Sequence, residues 1–511
     1  MPSRTSPSRA ASCALARAPR RPASPALLGA AAVLVASLVA SLAASLAVSL
    51  VAPAVLPAHA LHAQGVDLPP GRFAFVDVTV LPMTGDGERL PHRTVLVEGE
   101  RITAVGPVDA VAVPEGFTVI EGAGRFLMPG LAEMHAHVPP VAEGRPPREA
   151  LEEIMFLYVA NGITTIRGML GSPYQLELRG ELARHEMLGP AFHPAAPSLN
   201  GTSAPTPDAA EALLRAAARD GYDLMKIHPG VSRESWDRMV RVAREVGLSF
   251  GGHVPADVGL EHALETGIST VDHMDGYLEA AVTPAAAARA RARGEPLGMD
   301  EVLQNLDEGR MRALARRTRE VGAYVVPTHY LWANRFTRPD PDSVLALPEM
   351  GYVSPRQREA WRRQAQGGPR LTPENRGRFV EARDRMLNLL AEEGALLLMG
   401  TDSPQLYNVP GFALHRELAA MEAAGLDRRT ILRSGTRNVG RYVEEVLGMD
   451  GSFGTVAPGQ RADLVLLDAD PLEDLDHLTR RGGVMVRGRW LDRAFLEAGL
   501  RAIAARHRPV G

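Results

Sequence analysis

The sequence contains almost no lysine. Lys226 is the only lysine in 511 residues, and every other member of the 56 Lys and Arg residues is arginine. Arginine can replace the charge of a lysine almost anywhere, but its guanidinium stays protonated and cannot act as a neutral amine on burial. Lys226 lies near the end of a short apolar run, residues 222–228, which reads as a strand. It is therefore a candidate for amine chemistry (a Schiff base, a general base or a carbamate formed with CO2), with an ordinary lysine as the alternative.

Cysteine is as scarce as lysine. The single cysteine is Cys13, which lies in the first 63 residues. Residues 64–511 therefore cannot form a disulfide, and they hold no thiolate nucleophile or thiolate metal ligand.

The first 63 residues contain five arginines and no acidic residue. Without these five charges the formal net charge changes from −4 to −9. This balance gives no indication of nucleic acid as a partner.

The same N-terminal segment has the order of a signal peptide. The arginines lie within residues 1–25, residues 26–56 are almost wholly Ala, Leu, Val and Ser, and small residues follow at Ala58, Ala60 and Ala63. We interpret residues 1–63 as a signal peptide, cleaved after Ala60 or Ala63, that exports the protein to the periplasm or the medium. The alternative is an uncleaved membrane anchor, since residues 26–56 are long enough to cross a bilayer. Membrane contact is expected only during export or through this segment.

Both ends of the remaining chain are predicted to form short strands. Residues 64–125 and 446–498 combine alternating apolar residues with closely spaced glycines, as in small β-domains. Since they flank a long middle section, we predict one domain built from both ends of the chain. Residues 499–511 are interpreted as a C-terminal tail.

The middle section, 126–445, alternates strand and helix patterns, which predicts an α/β fold with a (β/α)8 barrel. The candidate strands are 126–134, 163–168, 190–196, 223–228, 248–253, 270–274, 323–328 and 395–401. An insertion at 333–374, rich in Pro and Arg, follows the seventh strand. On a barrel this is the face of the active site, so a lid or specificity loop and a merely exposed loop are both compatible with it.

Six side chains that can bind metal lie at the ends of these predicted strands. His135 and His137 share one face of the first strand, because residues i and i+2 point the same way. The other four lie at the ends of the fourth, fifth, sixth and eighth strands: Lys226, His253, His273 and Asp402. Catalytic groups of barrel enzymes lie at this end of the strands, so the joint pattern predicts a metal centre.

The motifs around these residues resemble the amidohydrolase superfamily, most closely its imidazolonepropionase-like and Xaa-Pro-dipeptidase-like members. The resemblance covers nearly all of 66–495. Its motifs are Pro-Gly-x-x-x-x-His-x-His at 129–137, Asp-Leu-Met-Lys-Ile at 223–227, Gly-His-Val-Pro at 252–255, Val-Asp-His at 271–273, Gly-Thr-Asp at 400–402 and a closing segment at 457–468. The resemblance implies a barrel with a composite β-sandwich formed from both chain ends.

The resemblance also implies a binuclear metal centre. His135 and His137 would bind one metal with Asp402, His253 and His273 would bind the second, and a carboxylated Lys226 would bridge both. Two divalent ions would activate a bridging hydroxide for attack on an amide or peptide-like C–N bond, and Asp402 would pass a proton to the leaving nitrogen. Nitrogen and oxygen ligands suit zinc, with Mn or Fe as alternatives.

The expected substrate is a small molecule or a short peptide, such as an Xaa-Pro dipeptide or an N-acyl amino acid. His228, His329 and Tyr330 are candidates for contact with it, because they lie beside the ends of the fourth and seventh strands. Two departures weaken the dipeptidase interpretation more than the metal centre. Gly168 follows Arg167 where family members often carry Asp, and no residue stands out as a partner for a substrate carboxylate.

Two alternatives remain open. One is a mononuclear enzyme, a cyclic-amide hydrolase or deaminase, in which Lys226 is structural. The other is a surface-anchored binding protein on a barrel scaffold, which the intact set of ligands disfavours. A homo-oligomer is compatible with the sequence.

Overall fold

The computed structural model describes residues 69–85, 88–139, 145–367 and 371–508. The predicted signal peptide, residues 1–63, lies outside the described residues. Within the described ranges, no helix combines the length and the apolar character needed to cross a membrane.

Strands dominate both ends of the described chain, and strands and helices alternate between them. The strands are β1 (Arg72–Val80), β2 (Leu90–Glu98), β3 (Arg101–Pro107), β4 (Thr118–Glu121), β5 (Phe126–Pro129), β6 (Leu131–Ala136), β7 (Ile163–Gly168), β8 (Ala191–Pro194), β9 (Met225–Ile227), β10 (Phe250–Gly252), β11 (Thr270–Asp272), β12 (Tyr324–Val326), β13 (Leu396–Leu397), β14 (Leu464–Leu467), β15 (Arg481–Val486) and β16 (Arg489–Asp492). The α-helices are α1 (Arg148–Ala160), α2 (Pro173–Ala183), α3 (Pro207–Asp220), α4 (Arg233–Val246), α5 (Leu260–Thr266), α6 (Tyr277–Ala280), α7 (Pro284–Arg293), α8 (Met299–Gln304), α9 (Glu308–Val321), α10 (His329–Thr337), α11 (Pro341–Leu345), α12 (Pro355–Gln366), α13 (Pro373–Glu392), α14 (Phe412–Ala423), α15 (Arg428–Ser434), α16 (Arg437–Glu445) and α17 (Arg493–Arg506). Short 3-10 helices span Pro348–Tyr352 and Leu475–Thr479.

The two chain ends meet in one mixed eight-stranded sheet. Its order is β16-β15-β14-β5-β1-β2-β3, and β4 pairs with β1. The ends are joined where β14 runs antiparallel to β5, with Leu464 opposite Pro129 and Leu467 opposite Phe126. Apolar side chains from both ends, including Phe75 and Met485, form one buried cluster on this sheet. A sheet built from both ends is thus present, while its predicted form as a sandwich stays a prediction.

The middle of the chain forms two parallel sheets. Strands β6, β7 and β8 make the first, and β9 to β13 make the second. Isolated parallel bridges, Ala195 with Leu224 and Ala136 with Ser403, lie between the two sheets at both of their edges. The first predicted segment, 126–134, overlaps β6, and each of the other seven contains one of β7 to β13.

The first predicted strand, 126–134, is divided between two sheets. Its first part is β5 of the composite sheet, and its second part belongs to β6. The break falls at Gly130, where a Cβ atom would lie 2.2 Å from Thr164 Oγ1. Only glycine allows the chain to pass β7 this closely, and the apolar pattern alone did not reveal the change of sheet.

Local sequence signals set the bounds of the helices beside the parallel strands. Helix α4 begins after Ser232, whose hydroxyl accepts a hydrogen bond from the N–H of Ser235. It ends at Gly247, which has a φ of 68°. A capping serine at the start and a left-handed glycine at the end are the usual signals for these positions. The helix therefore spans the residues of its amphipathic pattern and buries Trp236 against the sheet.

Most of the predicted insertion, 333–374, folds into a helical cap. We define the cap as residues 329–366, which contain α10, α11, a 3-10 helix and α12. Its apolar side chains, Trp361 and Met350 among them, pack in one cluster with Leu406 and Val409, which follow β13. The insertion is thus a packed element with its own apolar cluster, held against the loop after the last parallel strand.

Candidate active site

The six predicted metal-directed residues lie at the carboxyl ends of the parallel strands and form one cluster. His137 Nε2 is 2.5 Å from Asp402 Oδ1, and His135 Nε2 is 3.2 Å from Lys226 Nζ. The ring of His273 lies 4.6 Å from that of His135 and 4.4 Å from that of His253. The structure therefore brings together all six, although their role as ligands stays a prediction.

Three of these residues form the tightest group. The ligand atoms of His135, His273 and Asp402 all lie within 4.8 Å of one another, and all three residues are buried. Imidazole nitrogens with a carboxylate oxygen are suitable ligands for zinc and for other transition metals. The cluster can hold a metal ion, and it draws on residues that were predicted to bind two different ions.

Burial favours the neutral form of the nitrogen donors. It lowers the pKa of Lys226, against the opposing attraction of Asp272 and Asp402. It also lowers the pKa of His135 and of His273 well below the usual value. A neutral amine or imidazole has the free lone pair that a metal or CO2 needs.

Asp402, unlike the nitrogen donors, favours its charged form. Burial by itself raises its pKa, but interactions with His135, His137 and Lys226, including the hydrogen bond with His137, outweigh burial and lower it. Asp402 is thus held as an anion at the centre of the cluster, which is the form that binds a cation or accepts a proton.

One imidazole shows where a metal would fit. The Nδ1 atom of His273 lies 2.8 Å from Thr328 Oγ1, whereas its buried Nε2 atom has no hydrogen-bond partner among the described residues. Buried polar atoms are rarely left unpaired. A hydrogen bond at one ring nitrogen orients the ring and leaves the other nitrogen for a metal, as is usual for ligating histidines. The residues present therefore fit divalent metal ions.

The backbone is strained where these side chains enter the site. His273, Asp402 and Thr328 have φ values of 64°, 62° and 43°. Such values are uncommon outside glycine and cost free energy, and they cluster at functional sites where the surrounding structure enforces them.

A second layer of charged residues, which the sequence did not reveal, lies behind the six metal-directed residues and contacts them. Asp272 Oδ2 lies 2.8 Å from His135 Nδ1 and 3.9 Å from Lys226 Nζ. Its carboxylate also faces the guanidinium of Arg167 at 3.4 Å, and Arg167 Nε donates a hydrogen bond to the carbonyl of Met134. All of these groups are buried. An aspartate next to a predicted ligand, in the Val-Asp-His motif, was the available signal.

Glu133 and Arg383 form hydrogen bonds with residues at the ends of the strands. Glu133 accepts hydrogen bonds from the N–H of His135 and the N–H of Thr401, and burial raises its pKa to about 8 despite these donors. Arg383 donates to the carbonyls of His273 and Pro327, after β11 and β12. Neither residue follows a predicted strand, so neither was a candidate.

Of the three predicted substrate contacts, His228 faces the site. It lines a cavity of about 670 Å³ together with His135, His137, His253 and Asp402. Its ring stacks on that of His253 at 5.0 Å, and its Nδ1 lies 2.6 Å from Ser198 Oγ. Burial is the main cause that lowers the pKa of His228 to about 3, so the ring is neutral.

His329 and Tyr330 lie at the start of the cap and are not among the described residues that line this cavity. The Nε2 atom of His329 is 2.7 Å from Asp384 Oδ1, and the N–H groups of both residues donate to Glu417. The cavity is lined instead by the next residues of α10, Leu331 and Trp332. Contact of His329 or Tyr330 with substrate stays a prediction.

The amidohydrolase family model matches residues 126–491, which is most of the chain. The matched range contains every residue of the cluster described above. It also contains the cap and the C-terminal strands of the composite sheet.

Individual relatives span less of the chain. An adenine deaminase 3 of Rhizobium meliloti (strain 1021) is 26% identical over 216 residues, which is 38% of this chain and 35% of that protein. The chain thus matches about a third of the length of this curated relative. Deaminase relatives and the family match are consistent with a hydrolase that acts on C–N bonds.

Solved structures match over most of their length. A bottromycin amidohydrolase superposes with a TM-score of 0.65 at 24% identity, covering 89% of this chain and 94% of that one. A Xaa-Pro dipeptidase with bound methionine gives a TM-score of 0.57 at 18% identity, covering 83% of this chain and 100% of that one. At these identities the likeness shows a shared fold.

Proposed function

The chain belongs to the amidohydrolase family, as its motifs indicated, and from this premise we propose that it is a binuclear metal-dependent hydrolase of amide or peptide-like C–N bonds. The observation that carries the proposal is the buried cluster of His135, His273 and Asp402 with Lys226 beside it. Its substrate would be an Xaa-Pro-type dipeptide or an N-acyl amino acid.

Six residues would hold the metal ions. His135, His137 and Asp402 would bind one ion, His253 and His273 would bind the other, and Lys226 would bridge them as a carbamate formed with CO2. The buried amine with its lowered pKa supports the carbamate, because CO2 reacts only with the neutral amine. Divalent ions bound here, most simply zinc, would lower the pKa of a water molecule and polarise the scissile carbonyl.

The protein's own groups would position the substrate and move the proton. Asp402, held as an anion, would accept the proton of the attacking water and transfer it to the leaving nitrogen. His228 would donate a hydrogen bond to the substrate from the cavity wall. Asn200 Nδ2 donates to Ser198 Oγ, which leaves the serine hydroxyl hydrogen free for His228 Nδ1. The proton of the neutral ring then lies on Nε2.

The proposal extends to architecture and location. The parallel bridges between the two parallel sheets support one closed (β/α)8 barrel. The composite sheet would form the β-sandwich that the family resemblance implies. The Arg-rich stretch and the apolar segment at 26–56 support an exported protein.

A second function has one observation in its favour. The tightest group of ligand atoms contains only three residues, which one ion could occupy, and the sequence relatives include an adenine deaminase. In that case the enzyme would be mononuclear, and would act on cyclic amides or remove an amino group from a purine-like ring.

Metal content and substrate range together test the proposal. The full-length protein, purified without chelator, is analysed for metal per protomer. It is then assayed against dipeptides, N-acyl amino acids, cyclic amides and adenine. About two ions with hydrolysis of dipeptides or N-acyl amino acids is the expected result. One ion with deamination would favour the second function, and no bound metal after divalent ions are added would contradict both.

A further inference from the structure

The cavity in front of the metal-directed cluster contains one permanently cationic side chain among the described residues that line it. This residue is Arg335 of α10, and it shares the cavity wall with His135, His228 and Asp402. The other charged groups of the wall are carboxylates with partners, since Asp275 pairs with His253 and Asp402 with His137.

Arg335 has no acceptor within the described part of the chain. No described carboxylate lies within ion-pair distance of it, and its buried Nε atom has no hydrogen-bond partner. Several other arginines in or beside the cap have ion pairs. Arg362 contacts Asp342, Arg363 contacts Glu359, and Arg416 contacts Glu349. An arginine that lacks such a partner at the wall of a cavity has donors available for a ligand.

The guanidinium of Arg335 has an aromatic contact. Its guanidinium carbon lies 5.6 Å from the centroid of the Trp332 ring, within the range of a cation–π interaction. The Trp332 ring lies in turn 5.6 Å from the ring of His273. Together these two distances place the guanidinium carbon at most about 11 Å from the centroid of the His273 ring. About three residues of extended chain can span this distance.

We propose that Arg335 is the specificity-determining residue that binds a free carboxylate of the substrate while the scissile amide lies at the metal-directed cluster. A guanidinium offers paired N–H donors that match the two oxygens of a carboxylate. The amide side chains of Gln357 and Gln405, which line the same cavity, provide further polar contacts. The inference rests on the proposed hydrolysis of an amide and assigns the residue that recognises the free carboxylate of those substrates.

This assignment supplies the carboxylate partner that the sequence alone did not indicate. The residue comes from the cap, so an arginine in a Pro- and Arg-rich segment could not be distinguished from its surface neighbours by pattern. Only the packing of α10 over the cavity separates Arg335 from them.

Matched substrates test the proposal. The best dipeptide or N-acyl amino acid from the substrate panel is compared with its C-terminal amide, for the wild-type protein and for Arg335→Ala, Arg335→Gln and Arg335→Lys. Loss of a charge-assisted hydrogen bond should lower kcat/KM for the free acid by about ten- to a hundredfold, mainly through KM, and leave the amide nearly unchanged. Arg335→Lys should retain part of the activity, because it keeps the charge.

Arg363→Ala is the matched control, since Arg363 is an exposed arginine of the same cap. It should behave as the wild type on both substrates. Equal losses on the acid and the amide in all three Arg335 variants, or no loss, would overturn the proposal. If Arg335→Ala fails to fold or to bind metal, the comparison of acid and amide substrates is made with Arg335→Gln and Arg335→Lys alone.

A binding measurement separates this inference from the proposed function. L-leucine and L-leucinol, which differ in the carboxylate and contain no amide bond, are titrated calorimetrically into each protein. Preference of the wild type for L-leucine, lost in Arg335→Gln and kept in Arg363→Ala, supports the role of Arg335 even if no panel substrate is hydrolysed. Hydrolysis of panel substrates without any such preference overturns the role of Arg335 and leaves the hydrolase proposal intact.

Discussion

Glu133 is joined to Thr401 by two hydrogen bonds, from the main-chain N–H at 2.8 Å and from the side-chain hydroxyl at 2.7 Å. Glu133 lies on β6, the first parallel strand, and Thr401 follows β13, the last. Each residue is close in sequence to members of the cluster, since Glu133 precedes His135 by two positions and Thr401 directly precedes Asp402. The pair therefore fixes these two side chains relative to each other.

Replacing Glu133 with Ala should weaken metal binding and destabilise the fold. The substitution leaves the N–H groups of Thr401 and His135 buried without acceptors, which costs about 1–3 kcal/mol for each group. Loss of a group that orients ligands typically lowers metal affinity by about ten- to a hundredfold. Zinc titration with a competing chelator and urea unfolding measure the two effects.

Thr401→Val is the matched control for this pair. It removes the hydroxyl but keeps the main-chain N–H, so its effect on metal affinity should be smaller than that of Glu133→Ala. Wild-type zinc affinity in Glu133→Ala would show that the strand ends keep their positions without this contact.

The sequence could group these side chains because each obeys a local rule, while their role as ligands stays a prediction. His135 and His137 share a face by the two-residue period of a strand, and Lys226, His253 and His273 end short apolar runs. Each of these inferences needs only neighbouring residues. The ends of parallel strands then meet at one edge, so positions along the chain were sufficient to group the side chains in space.

The second layer could not be predicted because its contacts join distant parts of the chain. Arg167 meets Asp272 across 105 positions, and Glu133 meets Thr401 across 268. No local period indicates which buried charge pairs with which. The change of sheet at Gly130 has the same origin, because the close approach that requires glycine there involves Thr164 of the next strand.

Lys226→Arg should reduce the metal content from about two ions per protomer to one or none. A guanidinium stays protonated and cannot form the carbamate, and its buried charge would repel cations. Elemental analysis and activity of the purified variant measure the effect. Lys226→Glu, which restores an anionic oxygen donor, should recover part of the metal content but little activity.

Dependence on CO2 tests the same bridge independently of mutation. The chelator-treated wild-type protein should recover activity faster when zinc is added with bicarbonate than when it is added in CO2-depleted buffer. Equal recovery in both buffers, or full metal content and activity in Lys226→Arg, would contradict the carbamate.

His228→Phe should lower kcat without lowering metal content. The ring of Phe preserves the stacking on His253 but removes the N–H donor from the cavity wall. A lost hydrogen bond that strengthens in the transition state costs about 10²–10³-fold in kcat. Steady-state kinetics together with metal analysis separates this effect from loss of a ligand.

Ser198→Ala distinguishes positioning from simple packing at this site. Without the serine hydroxyl, the proton of His228 is no longer directed to Nε2. A smaller fall in kcat than in His228→Phe is expected, with KM little changed. Wild-type kcat in both variants would show that His228 does not act on the substrate.

Glu100→Gln should remove a pH-dependent contribution to stability from the composite sheet. Burial by itself raises the pKa of Glu100, but hydrogen bonds with Arg487 and His185 outweigh it and lower the pKa from its ordinary value of 4.5. The stabilisation is therefore fully present above this value and is lost as the pH falls through the lower pKa of the folded state. Since the side chain is about one-third exposed, the contribution should stay below about 1 kcal/mol.

Urea unfolding at about pH 7 and about pH 3.5 should show free energies of unfolding of the wild type and of Glu100→Gln that differ at the higher pH and converge at the lower. Glu98→Gln, which affects only the exposed pair with Arg72, is the control and should match the wild type at both. A constant difference between wild type and Glu100→Gln across this range would mean that the contact contributes by packing and not by charge.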